Sequence, residues 1–355
     1  MSSFQANCLP ALIGSLPLQN HNEATKLLLN YTPEIPLWVQ LPYFKEEGMV
    51  PQFLPGFPGV ETDGDKTYID TTSAKFEEEM LQFYEDYIAV TSGDMDINAS
   101  RFALTEDHAN GFFELVKEIK NLDTKPYALK GQVTGPITFG TGVVDENDRA
   151  IFYNDQVRDI MIKHLALKAK WQAEQFKNEG YTPIIFFDEP ALAGFGSSAY
   201  ITITQQDVTE CINEMSAAVH DSSGLSGVHV CANTEWVMLL TSDIDVISFD
   251  AYAYFENFIL FPNEIKSFVE AGKVLAWGII PTSEDIEKES ADSLTAKFDD
   301  QLEKALVTGL TKEELLGAIL ITPSCGAGSL SLENATKVLE LTREVSNRVK
   351  SKYNL

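Results

Sequence analysis

The chain has 355 residues, 44% of them hydrophobic, and carries 26 basic against 53 acidic side chains, a net charge of −27. Such a surface repels phosphate backbones and anionic lipid, which excludes nucleic acid and membranes as partners, and five arginines are few for a binder of phosphate-rich ligands. No run reaches the roughly 20 apolar residues of a membrane span, no secretory signal opens the chain, and four scattered cysteines make no disulfide framework, so a reducing cytoplasm is expected.

Eight apolar, β-branched runs recur along the chain, at 11–16, 37–41, 127–133, 183–187, 227–231, 246–249, 273–279 and 317–321. Near-continuous apolarity suits parallel strands covered on both faces. Amphipathic helical stretches separate them, which implies right-handed crossover units. Eight such units predict one α/β domain over 1–355, a closed (β/α)8 TIM barrel. Between the second and third strands lies an insertion, 46–125, with a Gly/Pro-rich stretch and helical segments around 76–88 and 107–119. An insertion of that length is expected to cover the catalytic face. The helix predicted over 155–176 sets Val157, Ile160, Met161, His164, Leu167 and Trp171 along one stripe, so His164 reads as a core histidine. The last helix begins near Ser331 and turns Ala335, Val338, Leu339, Val345 and Val349 inward. Cys8 and Cys211 read as packing residues, and His21, His108 and His220 as surface or helix-end residues.

Catalytic groups of a barrel gather at the carboxyl ends of its strands. His229 and Cys231 end the fifth run two residues apart, so a strand projects both from one face. Imidazole nitrogen and thiolate sulfur select zinc. Cys325 follows the eighth run in a Pro/Gly turn, and Asp250 ends the sixth, where a carboxylate needs a partner or a ligand. Together the four would make a four-ligand zinc site, and in catalytic zinc the fourth position is often exchangeable. A thiol entering there loses its proton and stays nucleophilic, which suits alkyl transfer to sulfur. Asp188 and Glu189 end the fourth run. They either hold an ammonium group or act as a base, or else cap and open the next helix. Ile13, Gly14 and Ser15, and the stretch from Lys130 to Pro136, bring backbone close to a ligand or pack as glycine turns.

These segments resemble the C-terminal catalytic domain of cobalamin-independent methionine synthase. The matching stretches are Ile-Gly-Ser-Leu-Pro at 13–17, Lys-Gly-Gln-Val-Thr-Gly-Pro at 130–136 and Asp-Glu-Pro-Ala-Leu at 188–192. His-Val-Cys at 229–231, Asp-Val-Ile-Ser-Phe-Asp at 245–250 and Ser-Cys-Gly at 324–326 complete the set. The resemblance implies a barrel related to uroporphyrinogen decarboxylase and the zinc thiol methyltransferases of methanogens. It implies His229, Cys231, Asp250 and Cys325 as zinc ligands, with Glu256 in reserve because the family's fourth ligand is Glu. It implies Asp188 as the carboxylate for the substrate ammonium, with Glu189 beside it, and Ile13 and Ser15 as backbone contacts. The family's histidine after the seventh strand is absent, its acidic motif after the second strand is not matched, and its N-terminal barrel has no counterpart here. The expected function is a zinc-dependent methyltransferase acting on a thiol, homocysteine, with a methyl-corrinoid (a corrinoid protein or methylcobalamin) as donor. Methyltetrahydrofolate as donor, coenzyme M as acceptor, and a non-catalytic zinc- or corrinoid-binding accessory protein are the alternatives.

Overall fold

The structure, a computed structural model, describes residues 4–64, 66–197, 200 and 202–355. Its strands are β1 (Val60–Asp63), β2 (Lys66–Ile69), β3 (Ala128–Thr134), β4 (Thr182–Asp188), β5 (Leu225–Val230), β6 (Val246–Phe249), β7 (Val274–Ile280) and β8 (Ile319–Pro323). β3 to β8 form one six-stranded parallel sheet in chain order, and β1 pairs with β2 as a separate antiparallel hairpin. Helices at Asp155–Asn178, Gln205–Asp221, Pro262–Glu270, Ala291–Ala305 and Leu332–Tyr353 alternate with or follow the parallel strands. No helix of the described residues is long and apolar enough to cross a membrane.

Both faces of the sheet are buried, which explains the unbroken apolar runs. Leu129, Val133, Ile185, Phe187, Val228, Ile247, Leu275 and Ile321 join a large core that includes the buried faces of the helices. Residues one step along point the other way: Ala128, Ile184, Phe186, Val246, Ala276 and Leu320 form a second, smaller core with Ala11 and Ile35. Towards the carboxyl ends this inner face changes character. The same pleat positions become Lys130, Gln132, Thr134, Asp188, His229 and Ser248, and the parallel register sets Thr134 beside Asp188, Asp188 beside His229 and His229 beside Ser248.

The closed eight-stranded barrel is not what forms. Six of the eight expected strands make the sheet, a half-barrel, and the runs at 11–16 and 37–41 contribute isolated bridges, Pro10 to Ile321, Ser15 to Gln40 and Leu37 to Lys130. The reason is local. Pro10, Pro17, Pro36 and Pro42 flank both runs, and proline has no N–H to give a ladder. Individual bonds remain, such as Ala11 N to Ile321 O (3.0 Å) and Trp38 N to Lys130 O (3.3 Å). The insertion is likewise not a lid as a whole. Its helices, Ala74–Ser92 and Glu106–Glu118, pack against Asp155–Asn178 and His21–Tyr31 respectively. The hairpin β1–β2 within it was not expected.

At the amino ends of β5 and β6, opposite the polar end, His220 Nε2 meets Asp245 Oδ2 at 2.7 Å. The same oxygen accepts from Ser226 N (2.8 Å) and Ser226 Oγ (3.0 Å). The Asp245 carboxylate raises the His220 pKa above its ordinary value of 6.5. A raised folded-state pKa stabilises the fold most below the unfolded value, and the gain fades as pH rises through the folded one. Replacing His220 by Gln is therefore expected to cost stability at pH 6 and less at alkaline pH, read from urea midpoints across that range. A cost independent of pH would show that the ion pair contributes nothing.

Candidate metal centre

β5 delivers His229 to the inner face within a parallel ladder, and Cys231 follows one residue past the strand end. Cys325 arrives from a loop fixed on two sides. Ser324 N bonds Ile280 O (2.8 Å) and Ser324 Oγ takes the Thr282 N–H (3.1 Å). Across the loop, Ala327 N bonds Ser15 O (3.0 Å) and Gly328 N bonds Ser15 Oγ (3.2 Å). Gly326 permits that approach, since a Cβ there would stand 2.4 Å from Ser15 Oγ. Ser15, expected as a substrate contact, anchors the thiol loop in the structure.

The donor atoms of His229, Cys231 and Cys325 lie within 4.8 Å of one another. His229 is buried, and its Nδ1 is engaged by Ser248 Oγ at 3.0 Å, while Nε2 is buried without a partner. Burial, with Lys130 nearby, pushes this imidazole down to about 3, so it is neutral and Nε2 is the free donor. The two thiols are hydrogen-bonded together, which brings Cys231 down to about 7 and pushes Cys325 up. One neutral imidazole held through its other nitrogen, and two sulfurs of which one ionises readily, are the donors a zinc-type ion takes. The residues fit a metal.

Asp250 and Glu256 lie outside this group. Asp250 caps the helix Ala251–Phe258, accepting from Ala253 N at 2.9 Å, and burial raises its pKa. Glu256 is exposed and pairs with Lys304 at 2.8 Å.

The two carboxylates at the end of β4 part company. Glu189 is fully buried and holds Ile137 N (2.8 Å), Thr138 N (2.8 Å) and Thr138 Oγ1 (2.7 Å). It closes the amino end of the helix Pro136–Gly142, a neighbouring helix and not its own. Burial pushes it up to about 7 against those donors. Gly135 makes room for it, since a Cβ there would overlap the Glu189 side chain at 2.3 Å. Asp188 is half-buried, open to the cavity on one edge, while its Oδ1 is shut from solvent with no partner. Burial pushes Asp188 up to about 7, opposed by the Lys130 charge.

A cavity of about 440 Å³ joins these groups, lined by Ile13, Ser15, Asp188, His229, Cys231 and Cys325 on one side and by residues from Gln40 to Met49 on another. Sequence reasoning gave Ser248 and Glu47 no role and took Lys130 only as part of the stretch from Lys130 to Pro136. Ser248 stands beside His229 in the strand register. Lys130, a lysine inside an apolar strand, is buried under the floor. Glu47 lines the wall, with His21 Nε2 at 2.5 Å and Leu41 N at 2.8 Å. Aligning the strand ends would have exposed the first two.

The fold and site define an α/β protein with a parallel half-barrel sheet and a His/Cys/Cys donor cluster in a cavity at its carboxyl ends. No protein-family model matches the sequence, and no curated protein sequence matches it. Among solved structures, a methyltransferase from Methanosarcina mazei shares the fold, with a TM-score of 0.52 over 91% of this chain and 84% of its own, at 13% identity.

Glu189→Ala is expected to lower stability by about 2–4 kcal/mol, because it strands buried donors that each cost about 1–3 kcal/mol. Denaturant titration measures this, with metal content unchanged. Lost thiol binding at full stability would instead assign Glu189 to the substrate.

Proposed function

We propose that the chain is a zinc-dependent S-methyltransferase that activates a thiol, with homocysteine as the acceptor the site suits best and methionine as product. The observation that carries this is the convergence of His229 Nε2, unpartnered, with two thiols at a cavity that Asp188 also lines. The fold it shares with a methyltransferase supports the reading, as does the resemblance of its motifs to cobalamin-independent methionine synthase.

His229, Cys231 and Cys325 would hold zinc, which would supply Lewis-acid chemistry that keeps an entering thiol's sulfur nucleophilic at neutral pH. Ser248 fixes the imidazole orientation through Nδ1. Asp188 receives the substrate ammonium at its open oxygen and so orients the chain that bears the sulfur. Pro42, Phe44 and Met49 give the cavity wall apolar surface against which the rest of the thiol's chain packs.

The donor is a methyl-corrinoid. A folate amine leaves poorly unless protonated by a positioned acid. After β7 this chain has Pro281 and Thr282, and the Thr282 hydroxyl is engaged with Ser324 at 3.0 Å. Cobalt departs as a stable low-valent ion and needs no proton. One feature favours methyltetrahydrofolate instead, the Glu47 carboxyl on the cavity wall, which lies 2.5 Å from His21 Nε2.

Metal analysis of the purified protein is expected to give about one zinc per chain, lost in Cys231→Ser and in Cys325→Ser while the fold persists. Unchanged zinc in both variants would overturn the metal assignment. With zinc and homocysteine present, the enzyme is expected to demethylate methylcobalamin and leave methyltetrahydrofolate untouched. Comparable turnover with the folate would reverse the donor assignment and make His21 and Glu47 the acid.

A further inference from the structure

Lys130 takes no part in the chemistry above, yet its position is unusual. It rises from β3 on the inner face and is fully buried. Its Nζ donates to the Ile13 carbonyl at 2.6 Å and lies 4.2 Å from the centre of the Phe186 ring. It interacts electrostatically with Asp188 and with His229. Ile13, Asp188 and His229 line the cavity, so the ammonium sits directly behind the floor on which a ligand rests.

We propose that Lys130 is a specificity-determining residue that selects a zwitterionic α-amino thiol as the acceptor, by supplying the buried positive charge that balances Asp188. This deepens the proposed function and rests on it. Lys130 and Asp188 together are neutral. A ligand carrying an ammonium and a carboxylate adds no net charge to that buried pair. A thiol with the amine alone adds one positive charge, and a thiol with the carboxylate alone adds one negative charge. Uncompensated charge in a region of low dielectric is costly, so both partial analogues are disfavoured. The sulfur is common to all three ligands and cancels from the comparison. Lys130 acts here through the field and through its hold on Ile13, without touching the ligand.

Burial alone opposes both charges, and the partner counters it on each side. Lys130 is pulled down to about 8 and Asp188 pushed up to about 7. Removing either withdraws the counter-charge that holds the other ionised, so the remaining group should favour a ligand that supplies that charge and shift the preference accordingly.

The test is calorimetric binding of homocysteine, 3-aminopropane-1-thiol and 4-mercaptobutanoate to the zinc-loaded full chain, with zinc content and melting temperature followed in parallel. Wild-type protein is expected to bind homocysteine at least about tenfold tighter than either analogue. In Lys130→Met, homocysteine and 4-mercaptobutanoate should weaken by about tenfold or more, while the aminothiol holds or improves. In Asp188→Asn the order reverses, and 4-mercaptobutanoate holds or improves while the aminothiol weakens. Lys130→Arg keeps the charge and should keep the wild-type order. A Lys130→Met protein that weakens all three ligands equally, or none, would overturn the proposal and leave Lys130 as a staple for Ile13. Should that variant fail to fold, Asp188→Asn decides, and no shift towards 4-mercaptobutanoate overturns the proposal. Zinc-loaded wild-type protein that binds none of the three refutes the acceptor reading itself, a result distinct from equal losses in the variant.

Discussion

A lysine ammonium buried inside a parallel sheet is costly unless its charge is met, and Lys130 meets it three ways. The Ile13 carbonyl accepts from it, the Phe186 face lies beneath it, and Asp188 opposes it. That constraint organises the inner face. The amino-end positions of that face are apolar and form the smaller core. The later inner-face positions of β3 and those at the ends of β4, β5 and β6 are polar, and three of them retain unpartnered buried atoms, Gln132 Oε1, Asp188 Oδ1 and His229 Nε2. Asp188 and His229 stand side by side on neighbouring strands and line one cavity, whereas Gln132 does not reach it. The Ile13 contact also ties down a segment that no strand ladder secures.

The acidic pair at the end of β4 divides its labour for a packing reason. Consecutive residues at a strand end face opposite ways, so one carboxylate must turn from the cavity. Glu189 does so and finds the free N–H groups of the helix Pro136–Gly142. Those donors lie in the stretch after Gly135, where a side chain would exclude the carboxylate. Glu189 therefore fixes the connection after β3 against the end of β4, next to the Thr134–Asp188 pair that ends their ladder. Asp188, one residue earlier, is left free by the same geometry.

Six of the parallel strands were legible because each is buried on both faces, and their observed ends fall within two residues of the apolar runs. The first two runs misled because an apolar stretch between prolines packs like a strand without bonding like one. The hairpin β1–β2 went unseen because it is short and largely exposed, with no burial to impose alternation. His229, Cys231 and Cys325 were legible from residue type and strand ends, and the structure brings them together. The Asp188–Glu189 ambiguity was real at the level of sequence, since the helix that Glu189 caps lies 50 residues away. His164 was legible because helical periodicity alone placed it inward, where its Nε2 meets Phe53 O at 2.8 Å.

Asp250 shows what strand-end reasoning leaves out. A carboxylate that closes β6 has two outlets, inward to a metal or forward to the next helix. Here the helix begins at the following residue, and its first-turn N–H groups offer fixed donors at 2.9 Å without the cost of ordering a loop. An N-cap of this kind contributes about 1 kcal/mol and is present whether or not a metal is bound. A metal drawing Asp250 inward would have to exceed that and leave the helix end bare. The three remaining donors, by contrast, have no competing use: Nε2 has no partner, and the thiols bond chiefly to each other. The three-donor set borders a cavity of about 440 Å³, so there is room beside the donors for a further ligand.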